Sequence, residues 1–291
     1  MRWSLVSCRT PAGDELAAAL VAGRVVRLPV EASGILELVE RWAEVEPLLR
    51  RFDPGSAPEI AGACLLLPLR HPRKVICAGA NYQSHVAEMG IQRREGARPY
   101  FFLKPPTTAL VGPGEEIVIP ADPAAKADWE AELAVVIGTG GRRIPEAEAL
   151  GHVAGYSALN DVSLRGLHRV AEPIAEPFTW DWLASKGADS STPFGPGIVP
   201  AFLVDDPQRL EVRLWVNGDL KQEAETADMI DGVAALVAAA SELMTLEPGD
   251  VIATGTPAGV GLPRQEFLRP GDLVEVEVSD FGRLSNRVVA R

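Results

Sequence analysis

The stretch DWEAELAVVIG (Asp128–Gly138) places two glutamates, Glu130 and Glu132, at the mouth of an otherwise apolar run. In a strand, side chains alternate from face to face with period two. Glu130 and Glu132 then share a face with Ala134 and Val136, while Leu133, Val135 and Ile137 fill the other. Two like charges side by side repel and resist burial unless a cation or a shared proton compensates them. The pair is therefore either a solvated strand entrance or half of a metal site, and the rest of the chain has to decide between them.

Around this stretch lie other short apolar runs separated by Gly and Pro: VICAGA, EEIVIP, LEVRLWVNG, DVIATGTP and DLVEVEVSD. Strands dominate without regular alternation with helices, which argues against a doubly wound sheet. The expected fold is mixed but mainly β, a barrel or roll with a few covering helices. Two helices are predicted, around EAEALGHVAGY and MIDGVAALVAAASELM. VNGDL reads as a hairpin, because Asn-Gly is the strongest short turn signal. The Pro-Gly-Asp steps at Pro248 and Pro270 read as turns into strands.

The first 70 residues read as a small α+β unit. It has two strands, RWSLVSC and RVVRLPV, and a helical segment in which Ile35, Leu38, Val39, Trp42 and Leu49 share a face. Pro47 argues against one continuous helix. The turn-rich DPGSAPEIAG and then PLRHPRK mark the boundary, giving expected units 1–70 and 71–291.

Composition bounds the function. The chain has 291 residues, 47% hydrophobic and 23% charged, which suits a packed core in one large domain with a small appendage. Its net charge of −12, with no basic block, argues against a nucleic-acid groove or an anionic membrane surface as partner. Cys8, Cys64 and Cys77 are odd in number and lack CxxC spacing, which argues against a disulfide framework or a thiolate zinc site. The N-terminal apolar run is broken by RTPAGDE, unlike a signal peptide. No apolar stretch reaches the roughly 18–20 residues of a spanning helix. A cytoplasmic location is the expectation.

A third carboxylate near the glutamates is offered by Asp161 in GYSALNDVSLRG. By itself such an Asp is as well explained as a turn former. Three carboxylates suit Mg²⁺ or Mn²⁺ better than zinc, which prefers His and Cys. His85 and Glu88 stand at i and i+3, neighbours on a helix face, where a carboxylate can orient an imidazole that acts as a base. They read equally as a surface pair. The polar MGIQRREGARP that follows suits a lid. Lys186, between small residues in ASKGADS, is either an incidental surface lysine or a stabiliser of developing negative charge. Lys104 in FFLKPP is either a snorkelling lysine or a contact for an anionic substrate.

The order of KVICAGANYQSHVAEMG, FFLKPPTTALVGPGEEIVIP, DWEAELAVVIG, GYSALNDVS, SKGADSSTPFGP and VIATGTPAGVG resembles that of the fumarylacetoacetate hydrolase family, from about Lys74 to the C-terminus. The resemblance implies a family-type β-roll. It makes Glu130, Glu132 and Asp161 the ligands of Mg²⁺ or Mn²⁺, and His85, Glu88 and Lys186 the catalytic groups. Arg165 and Thr256 become substrate neighbours by the same match. The chain departs from many members after Asn-Asp-Val-Ser: it reads L-R-G-L-H, so Gly166 replaces an acid and His168 a glutamine that faces substrate or its attacking water. The stretch after His168 is also rich in Pro and Trp.

The activity so implied is metal-assisted hydrolysis of a C–C bond in a 2,4-dioxo acid, an acylpyruvate or fumarylacetoacetate-like β-diketone. His85 and Glu88 would activate water, and Lys186 would stabilise the oxyanion. The same platform serves relatives that isomerise, tautomerise or decarboxylate a 2-hydroxydienoate or oxo-diacid without attacking water. A metal-dependent binding protein without catalysis is the third reading. The expected partner is a small oxo-acid substrate, and relatives imply a homodimer.

Overall fold

The computed structural model describes residues 2–291. It is mainly β, as expected, and the strand Ala131–Ile137 lies at its centre, buried at every position. That strand pairs antiparallel with Val153–Asn160 on one side and with Val251–Ala253 on the other. The large sheet continues through Thr192–Pro200, Ser4–Arg9, Glu15–Val21 and Arg24–Arg27 in one direction, and through Val75–Gly79 to Tyr100–Lys104 in the other. A second sheet of five strands holds Glu211–Val216, Asp219–Glu225, Leu273–Val278, Arg283–Ala290 and Ile117–Ile119.

The alternation read from the sequence is realised in the packing. Leu133, Val135 and Ile137 enter one core, shared with Val212, Leu214, Val276 and Leu284 of the five-stranded sheet. Ala134 and Val136 enter a second core with Trp3, Leu5, Ile35, Leu38 and Trp42. Residues on both sides of position 70 therefore share this second core. They share the sheet too, because Ser4–Arg9 pairs with Thr192–Pro200 with Leu5 opposite Ile198.

Three local expectations change. EAEALGHVAGY is a 3₁₀ turn over Glu146–His152 that runs straight into the strand Val153–Asn160, whose eight residues are all buried. A fully buried strand is continuously apolar and small-residue-rich, so its periodicity does not separate it from a buried helix. ELAAALV, unassigned in the sequence reading, is the strand Glu15–Val21 for the same reason. The helical segment from Ile35 to Leu49 divides into Ile35–Glu40 and Trp42–Leu49, with Arg41 between them. By contrast, MIDGVAALVAAASELM does contain a helix, Val233–Leu243. Asn217 and Gly218 both take positive φ in the expected hairpin, and both Pro-Gly-Asp steps lead into strands. No helix among the described residues is long and apolar enough to cross a membrane.

Because the second core spans position 70, the fragment 71–291 is expected to unfold without the cooperativity of the full chain, or at a much lower temperature. Deleting the first 70 residues uncovers Val75, Cys77, Ala134, Val136 and Phe194 and strips a hydrogen-bonding partner from Thr192–Pro200. Thermal melts of the two proteins check this. About 2–4 °C separates melts per kcal/mol in chains near this size, so a difference that small would mark 71–291 as self-sufficient.

Candidate active site

The register of two strands assembles the acidic cluster. Ala131 lies opposite Asn160, so the start of one strand meets the end of the other, and Glu130, Glu132 and Asp161 converge there. Two hydrogen bonds lock the junction: the Asp161 N–H donates to the Glu130 carbonyl at 2.8 Å, and the Glu130 N–H donates to Asn160 Oδ1 at 2.9 Å. Each of the three carboxylates offers an oxygen within 4.8 Å of the others, and all three are buried. A solvated strand entrance is therefore the wrong reading of the glutamates.

Charge compensation at the cluster is uneven. Lys186 ends the short helix Trp182–Lys186, whose N-terminus is capped by Asp181 through the Ala184 N–H. Its ammonium donates to Glu130 Oε2 at 2.8 Å and Asp161 Oδ2 at 2.7 Å. Arg165 donates to Glu130 Oε1 at 2.5 Å and to Asp128 Oδ2 at 2.9 Å. Against the cost of burial, Lys186 and Arg165 hold the Glu130 carboxyl below the usual range. Glu132 has no such cation; its Oε2 accepts the Gly255 N–H at 2.7 Å. Burial, then Asp161 and Glu130, push its carboxyl well up. Gly255 can present that N–H because it holds φ +92°, and a Cβ there would stand 2.9 Å from the Asn81 Cβ.

The donor set fits a divalent ion. Four buried carboxyl groups (Asp128, Glu130, Glu132, Asp161) face three cations (Lys104, Lys186, Arg165), and Glu132 is the one left without a counter-charge. All-oxygen ligation of this kind suits Mg²⁺ or Mn²⁺.

Lys104 does not reach toward substrate, contrary to the sequence expectation. It is buried, and its ammonium donates to Asp161 Oδ1 at 2.5 Å and to the Val162 and Ser191 carbonyls at 3.2 and 3.1 Å. With three donors spent, it holds Asp161 in place. Arg165 lines the pocket but is committed to Asp128 and Glu130. Thr256 also lines it, with its hydroxyl donating to the Ala131 carbonyl and accepting from Gln222.

His85 and Glu88 do share a helix, Gln83–Glu88. The pair is looser than a hydrogen-bonded dyad, since Nδ1 and Glu88 Oε2 are 3.6 Å apart. Glu88 instead accepts the Gly259 N–H through both oxygens, at 3.0 and 3.1 Å. His85 Nδ1 is buried without a hydrogen-bond partner among the described residues. Burial, with Arg165 and Lys186 adding to it, lowers its pKa. The imidazole is thus neutral near pH 7.

A cavity of about 520 Å³ has His85, Glu130, Arg165, Lys186 and Thr256 at its polar end; Glu130 is the member of the acidic cluster that lines it, with Glu132 and Asp161 buried behind. His168 lies in it too, its ring centroid 5.1 Å from Trp180 and 4.6 Å from Trp182. Asp128 escaped the sequence reading although it heads the quoted stretch. It is wholly buried and accepts from Arg165, the Gly261 N–H at 2.6 Å and the Leu262 N–H at 3.1 Å. Phe102, Arg169, Trp180 and Trp182 were also missed as lining residues; only the Trp-rich composition hinted at them.

The Gly166 departure has a steric cause. A Cβ at Gly166 would stand 1.8 Å from the carbonyl oxygen of Ala124, where the turn Arg165–Leu167 crosses Pro123–Ala125.

Comparison with known proteins agrees with this geometry. The family profile "Fumarylacetoacetate (FAA) hydrolase C-terminal" matches residues 74–289. Oxaloacetate tautomerase fahd2, mitochondrial, of Xenopus laevis is 41% identical over 77% of this chain and 68% of its own. The fumarylacetoacetate hydrolase of Exiguobacterium antarcticum superposes with a TM-score of 0.80 at 33% identity, covering 99% of this chain and all of the other. The maleylpyruvate hydrolase of Sphingobium sp. SYK-6, solved with manganese(II) and pyruvate, gives a TM-score of 0.76 at 30% identity, over 100% of this chain and 99% of its own.

Two substitutions test the site. Gly166→Ala is expected to destabilise the protein by about 1–3 kcal/mol or more through overpacking, read by chemical denaturation; unchanged stability would refute the steric account. Glu132→Gln is expected to weaken Mn²⁺ binding at least tenfold, about 1.4 kcal/mol, in calorimetric titration, whereas unchanged affinity would remove Glu132 from the ligand set.

Proposed function

Since the chain belongs to the fumarylacetoacetate hydrolase family, we propose that it is a divalent-metal-dependent enzyme that moves a proton between carbon and oxygen of a small 2-oxo acid, as in keto–enol exchange of oxaloacetate. The observation that carries this reading is His85: a buried, neutral imidazole with an unpartnered Nδ1, in the same cavity as Glu130 of the carboxylate cluster. Such a group accepts a proton at physiological pH without first losing one.

Glu130, Glu132 and Asp161 would hold the metal. Once bound, it would act as a Lewis acid on the oxygens of a 2-oxo acid and make the neighbouring C–H more acidic. The protein's own groups do the rest. Neutral His85 takes the proton from carbon 3 of the keto acid and returns it to the 2-oxygen; the reverse passage restores the ketone. Lys186, positioned by Glu130 and Asp161, presents an ammonium where negative charge develops on oxygen. Arg165 and Lys104 keep the carboxylates from rearranging as that charge moves. The burial of Glu130, Glu132, Asp161 and Lys186 strengthens each of these interactions. The tautomerase relative supports this choice.

Hydrolysis of an acylpyruvate is the second reading, favoured by the likeness to a maleylpyruvate hydrolase. It requires Glu88 to close onto His85 from 3.6 Å and leave the Gly259 N–H, so that the dyad can activate a water.

The deciding experiment supplies metal-loaded protein with oxaloacetate, following the enol by ultraviolet absorbance, and separately with an acylpyruvate in H₂¹⁸O. Metal-dependent equilibration of the enol is expected, with the rate reduced about 10²–10⁴-fold in His85→Ala and no ¹⁸O entering a carboxylic acid product. Incorporation of ¹⁸O would establish the hydrolase instead. Full tautomerase activity in His85→Ala would remove the imidazole from the reaction.

A further inference from the structure

The cavity does not end at its polar groups. Its volume, about 520 Å³, lies within the roughly 300–1,000 Å³ typical of sites for drug-sized ligands. Beyond the cluster the lining changes character. Met89 and Ile91 follow the His85 helix on one side, and Phe102, Trp180 and Trp182 come from two other segments. The aromatic groups pack as a unit: Trp182 lies 5.1 Å from Phe102 and 4.6 Å from His168, and His168 lies 5.1 Å from Trp180. Phe102 joins this wall to the catalytic end, because the Lys186 ammonium lies 5.3 Å from its ring centroid. His168, whose imidazole is kept neutral by burial and by the charges of Arg165 and Lys186, adds no net charge to the wall. Trp180 is 59% exposed at the cavity mouth, so a large apolar face there awaits cover.

We infer that this wall is a second subsite, which takes the planar apolar tail of a 2-oxo acid longer than oxaloacetate, an aryl-bearing acid above all. The inference rests on the 2-oxo acid reading of the polar end and names the substrate class that goes with it. A ring laid against Trp180 and Trp182 gains both area burial and offset or edge-on aromatic contact. Arg169 is the one charged group on this side, and it stands exposed at the rim. It would meet the tail's far end rather than its body.

The test is a comparison of affinities on Mn²⁺-loaded protein, by calorimetry and by tryptophan fluorescence. The probes are pyruvate, 2-oxo-4-phenylbutanoate and 2-oxoglutarate. The phenyl acid is expected to bind at least about tenfold more tightly than pyruvate, the equivalent of about 1.4 kcal/mol. That ratio should fall toward one in Trp180→Ala and in Trp182→Leu. The first of these changes a largely exposed side chain, so it keeps the test valid if the second fails to fold. Equal binding of pyruvate and the phenyl acid would overturn the tail subsite and leave the 2-oxo acid reading standing. A preference for the phenyl acid that survives both substitutions would place the tail elsewhere and overturn it too. Tightest binding of 2-oxoglutarate would assign the mouth to Arg169 and a terminal carboxylate. Binding of none of the three would overturn the 2-oxo acid reading, and this inference with it.

Discussion

The compensation of buried negative charge at the meeting of Ala131–Ile137 and Val153–Asn160 is the constraint to which the surrounding structure answers. A buried carboxylate without a counter-charge costs several kcal/mol, and four of them lie within one region here. Each cation that answers them comes from a different part of the chain: Lys104 from the edge strand of the large sheet, Arg165 from the turn after Asn-Asp, and Lys186 from a capped short helix. The three segments are thereby drawn to one point by electrostatics, in addition to any apolar packing. Removing a single cation would leave a carboxylate buried and unpaired, a worse outcome than the pair's own worth suggests. The cations therefore act as structural ties as well as chemical groups, and Lys104 serves wholly in the first role.

The central strand couples this electrostatic centre to both cores. Its odd-numbered residues, Leu133 to Ile137, anchor it to the five-stranded sheet, and its even-numbered ones, Ala134 and Val136, to the core shared with the first 70 residues. A period-two side chain pattern allows no slip: a shift of one residue would exchange the two sets and turn Glu132 into the wrong core. Packing on two sides thus fixes the position of a carboxylate that packing alone would reject. The N-terminal segment contributes to the site in this indirect way, through Trp3, Leu5, Leu38 and Trp42, without lining the cavity.

What could be read in advance follows from the range of the signals. The alternation in ELAVVIG, the Asn-Gly hairpin and the Pro-Gly-Asp turns are local, and each appears in the structure where the residues placed it. Only the first half of the strand Val153–Asn160, Val-Ala-Gly-Tyr, was read into a helix, because it carries small buried residues on both faces and so shows no period. The role of Lys104 was illegible for another reason. Its partner Asp161 is 57 positions away, and an apolar triplet before a lysine describes a snorkelling residue as well as a buried tie. Asp128 was hidden by its neighbours: beside Glu130 and Glu132 it reads as one more acid, and only the fold shows that it receives Arg165 and three N–H groups instead of joining the cluster.

The same distinction separates chemistry from specificity. The carboxylates sit at strand ends, so register and backbone hydrogen bonds, rather than loop sequence, set where the cluster lies. His168, Trp180 and Trp182 of the wall beyond it come from the segment between Arg165 and Lys186, which lacks extended secondary structure apart from short turns and the helix Trp182–Lys186. Loops of this kind carry variation more easily than the scaffold that positions them. Here the segment is pinned at both ends by the cluster itself, at Arg165 through Glu130 and at Lys186 through Glu130 and Asp161. A substitution within it can reshape the cavity while its two ends stay in place. The Gly166 contact with Ala124 strengthens the first of these anchors, since the chain must pass close to that carbonyl for Arg165 to reach both Asp128 and Glu130. Proteins that share the cluster can in this way differ in the shape of the cavity beside it, and the departures that begin at Gly166 and His168 fall on the part of the chain where such differences are structurally tolerable.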